Sequence, residues 1–86
     1  MGTLLYLITS ARPLEEDPLF VRSTDTDAEP EVILLQEGVR LTSVPVRCVS
    51  VLDEDLQARG LQSSFPMITY RDVIEKIFSA DHVIRL

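Results

Sequence analysis

Cys48 is the single thiol of this 86-residue chain, so any covalent sulfur chemistry must run through it. It lies in the run Val46 to Leu52, between Arg47 and Val49, and on strand geometry shares a face with Val46 and Ser50. Strand-interior cysteines are usually small buried hydrophobes, and burial is expected here. The competing role, a persulfide carrier, needs an accessible thiolate of lowered pKa.

Two polar groups follow apolar runs, where α/β folds place their ligand sites. Gln36-Glu37-Gly38 is the first. Gly38 permits a tight exit of the chain, while Gln36 and Glu37 are candidates for facing a cleft or a partner. Asp53-Glu54-Asp55 is the second. A phosphate-accepting aspartate with magnesium would need an acidic pair after the first strand, but Ser10-Ala11-Arg12 stands there, and Lys76 falls inside a helix. Helix capping explains these acids more simply, with Asp53 as the cap. Arg59 either pairs with Asp55 at i, i+4 or anchors an interface. His82 lies in the tail and has no obvious acid or nucleophile partner to position it as a general base. The binding and interface candidates are therefore Gln36, Glu37, Gly38, Asp55 and Arg59, and no catalytic residue is assigned beyond Cys48 as an improbable carrier.

Composition narrows the classes further. One Cys and one His make a metal site improbable, and three scattered glycines form no phosphate loop, so no metal or cofactor is expected. The net charge of −6 argues against direct nucleic-acid binding. Hydrophobic residues at 45% and charged residues at 26% describe a globular chain. The first apolar segment ends by Ile8, too short for a leader or membrane helix. Met1-Gly2 lacks the Ser or Thr that myristoylation wants at position 6, where Tyr6 stands. A lone reduced thiol fits a cytoplasmic location. A single domain over 1–86 buries a small core, and oligomerisation is the remaining source of stability.

These residues must be carried on short elements. Thr3 to Ile8 reads as a strand apolar on both faces, ended by Thr9, Ser10, Arg12 and Pro13. Asp17-Pro18 starts a short helix through Leu19-Phe20-Val21-Arg22, and Ser23 to Pro30 is a loop. Glu31 to Gln36 is the second strand and Val46 to Leu52 the third. Asp53 to Gly60 is a short helix, and Phe65 to Ile68 a last brief strand. Thr69-x-x-Asp72 resembles a capping box. Tyr70, Val73, Ile74, Ile77 and Phe78 then form one apolar stripe facing a core. His82 to Leu86 is a tail or a short terminal strand.

The alternation predicts a small α/β domain with a mainly parallel four-stranded sheet, ordered β-α-β-(short turn)-β-α-β-α. Only about eight residues join the second and third strands, against a dozen or so for a usual crossover. One sheet face should therefore lack part of its helical cover, and a second subunit is the simplest replacement.

The segment Ile33-Leu34-Leu35-Gln36-Glu37-Gly38-Val39 is similar to the "LLLQDGV" signature of the DsrH/TusB family. Leu52-Asp53-Glu54-Asp55-Leu56-Gln57-Ala58-Arg59-Gly60-Leu61 resembles that family's "L-x-E-D-L-x-A-R-G-L". Ile68-Thr69-Tyr70-x-Asp72-Val73 resembles its "I-x-Y-x-D-F", and Ser10-Ala11-Arg12-Pro13 follows the opening strand where the family has its Ser-Pro. The resemblance implies a DsrE/F-like, flavodoxin-like fold. It also implies a subunit of a sulfur-relay assembly, as in tRNA wobble-uridine 2-thiolation or sulfur oxidation, with DsrE/TusD-like and DsrF/TusC-like partners. Where DsrH members carry a relay cysteine, this chain has Leu19-Phe20-Val21-Arg22, and TusB members lack that cysteine too. The expected role is a non-catalytic subunit. The alternatives are a stand-alone homodimeric binding or regulatory protein, and a sulfurtransferase using Cys48.

Overall fold

The computed structural model describes residues 3–18, 20 and 30–86. Its sheet has five strands rather than four. They are β1 (Leu4–Ile8), β2 (Glu31–Leu34), β3 (Cys48–Leu52), β4 (Met67–Ile68) and β5 (His82–Arg85), in the order β4-β3-β2-β1-β5, with every neighbouring pair parallel. The added strand is the segment from His82. Asp81 fixes its register beside β1. The Asp81 carboxylate accepts from the Thr3 N–H at 2.8 Å and from the Thr3 hydroxyl, while the Thr3 carbonyl accepts from the N–H groups of Asp81 and His82. These donors, the backbone N–H first, hold the Asp81 carboxyl below its usual range.

Period-two alternation divides the core between two faces. Tyr6, Ile8, Val32, Leu34, Val49 and Val51 point to one face, where Leu14, Phe20, Val39 and Leu56 join them. Phe20 meets the Tyr6 ring edge-on with centroids 5.0 Å apart. Leu5, Ile33 and Leu52 point to the other face and meet Val73.

The second crossover is longer than the spacing implies: β2 ends at Leu34 and β3 begins at Cys48, so thirteen residues join them, and they hold one short 3-10 helix, Gln36–Arg40. Its consequence differs from the expectation. Val39, Leu41, Val44 and Val46 pack on the first face and cover it without an α-helix of their own. The thinly covered face is the opposite one, which rests on a single helix.

Two helices have clear local causes. α1 (Asp53–Ala58) begins with Leu52 at the N-cap, so Asp53 is not the cap; it sits in the first turn and accepts from the Gln57 side chain at 2.9 Å. Beyond α1, Gly60 takes φ +62, its N–H reaches the Gln57 carbonyl and the Leu61 N–H reaches the Leu56 carbonyl. That is a Schellman closure, which requires the left-handed conformation glycine adopts freely. α2 (Tyr70–Ser79) starts with the complete Thr69–Asp72 capping box. Asp17 also behaves as expected of a cap: its carboxylate accepts from the Phe20 N–H at 3.3 Å and pairs with Arg12. The helical turns expected through Leu19, Val21 and Arg22, and the loop expected from Ser23, lie outside the described residues, apart from Pro30, which is buried. Among the described residues no helix is long and apolar enough to cross a membrane.

The capping box gives the first prediction. Thr69→Ala removes the cap acceptor and should destabilise the fold by about 1 kcal/mol in urea titration. The Asp72 carboxyl is held low, first by the Thr69 backbone N–H and then by its hydroxyl. A lowered folded pKa gives stability that is present above the ordinary carboxylate range and fades as pH falls toward the depressed value. Asp72→Asn should therefore flatten the acid limb of the stability curve and leave its shape at neutral pH unaltered.

Candidate functional site

The five binding candidates come together at the carboxyl ends of β2 and β3. The backbone N–H of Gln36 donates to the Asp55 carboxylate at 2.7 Å, across 19 residues of sequence. Arg59 donates through Nε to Glu37 at 3.0 Å and through Nη1 to the Asp55 carbonyl at 3.2 Å. Its Nη1 also lies 4.0 Å from the Asp55 carboxylate, so the i, i+4 pair is present but secondary to Glu37. Arg40 holds the second Glu37 oxygen at 2.6 Å. The Glu37 carboxyl is lowered, chiefly by the hydrogen bonds from Arg40 and then Arg59. It stays ionised at neutral pH and is poorly suited to donate a proton.

Backbone geometry explains why this clasp needs these residues. Gln36 has φ +51, the one non-glycine residue with positive φ among those described. A side chain there costs roughly 1 kcal/mol, which the charge-assisted bond from its N–H to Asp55 offsets. Gly38 acts by size rather than by an unusual φ. A Cβ on it would collide with the carbonyl oxygen of Ile8. The same carbonyl accepts from the Leu35 N–H at 2.9 Å, so the turn lies tight against the end of β1.

Beside the clasp opens a cleft of about 320 Å³. Leu7, Leu35, Tyr70, Ile74 and Ile77 form its walls, with Gln36, Glu54 and Asp55 at the rim. A larger hollow of about 440 Å³ lies along α2 near the amino ends of β1 and β2. Its charges are already matched, with Lys76 paired to Glu31 and Asp72 engaged by Thr69. The smaller cleft is the better candidate because it sits at the strand carboxyl ends and presents apolar walls beside a polar rim.

Cys48 stands apart. It opens β3, whereas the clasp follows the end of that strand, on the order of 13 Å away at the usual rise per residue. It is also exposed, which overturns the expected burial. The strand begins two residues later than its apolar run, so Cys48 falls at the rim of the sheet and not in its middle. His82 opens the edge strand β5 and is exposed. Among the described residues no group of His, Cys, Asp and Glu is arranged to hold a metal ion.

The stripe on α2 also needs correction. Val73 is buried and Ile77 half-buried, but Tyr70, Ile74 and Phe78 are 55%, 39% and 84% exposed. The five residues span about 140° of helix arc, wider than one sheet contact covers. That width was the sequence signal for the cleft wall, and periodicity alone could not separate it from core. No family model matches this chain, and no curated protein matches it. The arrangement offers an apolar cleft and a locked ionic clasp without a thiol or hydroxyl among its five residues, which suits binding better than covalent chemistry.

Two substitutions test this geometry. Gly38→Ala should destabilise by roughly 3 kcal/mol, the upper end for overpacking, because the obstacle is backbone. Asp55→Ala should cost about 1 kcal/mol and speed amide exchange at Gln36, whose donor loses its charged acceptor.

Proposed function

We propose that this chain is a non-catalytic subunit of a sulfur-relay assembly of the DsrH/TusB type, with a DsrE/F-like fold, holding a cysteine-bearing partner in position. The observation that carries the reading is the hydrogen bond from Gln36 to Asp55. It joins the two segments that resemble the family signature, so the shared residue types serve one structural unit at the strand ends. The parallel α/β sheet agrees with the fold that the resemblance implies. The clasp contains no nucleophile, so the sulfur carrier would belong to the partner. DsrE/TusD-like and DsrF/TusC-like chains are the partners on this reading, and the final acceptor is tRNA or a sulfur-oxidation enzyme.

The exposure of Cys48 favours a second reading, transfer through this chain's own thiol. The two readings separate in one experiment. The chain is mixed with DsrE- and DsrF-like subunits and a persulfide donor, and complex formation and sulfur on each cysteine are followed by mass spectrometry. The subunit reading predicts a stable complex in which Cys48→Ser leaves transfer between partners intact. No complex with those subunits, or loss of transfer on Cys48→Ser, would contradict it.

A further inference from the structure

The sheet register gives the cleft beside the clasp a charged mouth as well as apolar walls. Leu52 of β3 pairs with Ile68 of β4, and Glu54 and Tyr70 each lie two residues beyond that pair. Two adjacent parallel strands thus deliver an acid and an aromatic ring to the same end of the sheet, and both line the cleft. β2 adds Gln36, two residues past Leu34, with the Asp55 carboxylate held against its backbone N–H. Behind this rim the walls are branched aliphatic side chains, Leu7 and Leu35 from the sheet side and Ile74 and Ile77 from α2.

Charge decides what fits that shape. No Lys, Arg or His stands among the described residues that line the cleft. Glu31, Glu37 and Glu75 are each matched by a basic side chain. Glu54 differs, because among the described residues it has no hydrogen-bond or ion-pair partner. Asp55 gives one oxygen to the Gln36 N–H, and Arg59 comes only within 4.0 Å of the other. The mouth therefore keeps uncompensated negative charge beside the Tyr70 ring. An anion would be repelled there, and a neutral apolar molecule would leave the charge unmet. An organic cation suits both parts. Its apolar body displaces water from Leu35, Ile74 and Ile77, while its ammonium group is drawn to the carboxylates and to the electron-rich ring. At about 320 Å³ the cleft lies at the lower end of small-molecule sites, so that body must be compact.

We propose that this cleft binds a small organic cation, an alkylammonium group on a compact apolar body, with Glu54 and Tyr70 receiving the charge. The site does not rest on the sulfur-relay reading, and the chain alone suffices to test it. Cyclohexylmethylamine, cyclohexylmethanol and cyclohexanecarboxylate share one ring and differ in charge at neutral pH. Each is titrated at low salt into the isotope-labelled full chain, followed by amide NMR. The amine should move the amides of Gln36, Glu54, Tyr70 and Ile74 along one saturable curve, with a Kd of roughly 1 mM or below. The alcohol should bind about fivefold more weakly, the combined effect of exposed ion pairing and a cation–π contact, and the carboxylate should not bind. Glu54→Gln should weaken the amine about threefold and leave the alcohol unaltered. Tyr70→Leu keeps an apolar wall and should weaken the amine more than the alcohol. An alcohol or carboxylate that binds as well as the amine would overturn the proposal. So would amine shifts that fail to saturate or that map away from the cleft, or an unchanged amine Kd in Glu54→Gln.

Discussion

A parallel sheet whose strands are apolar on both sides must be covered on both sides, and every other feature of this small molecule follows from how it meets that demand. Tyr6, Val32, Leu34 and Val51 on one face are fully enclosed by the turn after β2, the segment through Val46, α1 and Phe20. Leu5 and Ile33 on the other face are enclosed by one ten-residue helix. The chain has used three connections on the first face and one on the second. One ten-residue helix laid on a five-stranded sheet leaves part of that face open, and the flank it exposes is itself apolar.

Much of this was legible in the residues, for reasons that are local. The capping box at Thr69, the closure at Gly60 and the cap at Asp17 each depend on a few adjacent positions, and all three form. What was not legible depends on distant contacts. The sequence left His82 to Leu86 open between a tail and a short strand, because the pairing that makes it β5 is set beside β1 by Asp81 at Thr3, 78 residues away. The apolar run around Cys48 is longer than the strand it feeds, which made an exposed thiol look buried. Asp53 has the residue type of a cap but lies one position inside the helix. The stripe on α2 reads as core because hydrophobic spacing reports amphipathicity and says nothing of how wide the partner surface is.

The candidate site follows the same division. Gln36, Glu37, Gly38, Asp55 and Arg59 were chosen for their positions after strands, and the structure unites all five. Why they unite was hidden. A left-handed backbone at Gln36 and the contact of Gly38 with Ile8 are properties of the packed turn. Paired arginines keep Glu37 ionised, and the cleft beside it is walled by aliphatic side chains and Tyr70.

The central claim is that the two faces of the sheet are covered unequally, the first closed and the second left open along one flank of α2. Hydroxyl-radical footprinting of the dilute chain tests it with the same residue types on both faces. Tyr70 and Phe78, 55% and 84% exposed, should oxidise rapidly while Tyr6 and Phe20, at 0% and 1%, are protected. Protection of Tyr70 and Phe78 to the level of Tyr6 and Phe20 would contradict the account.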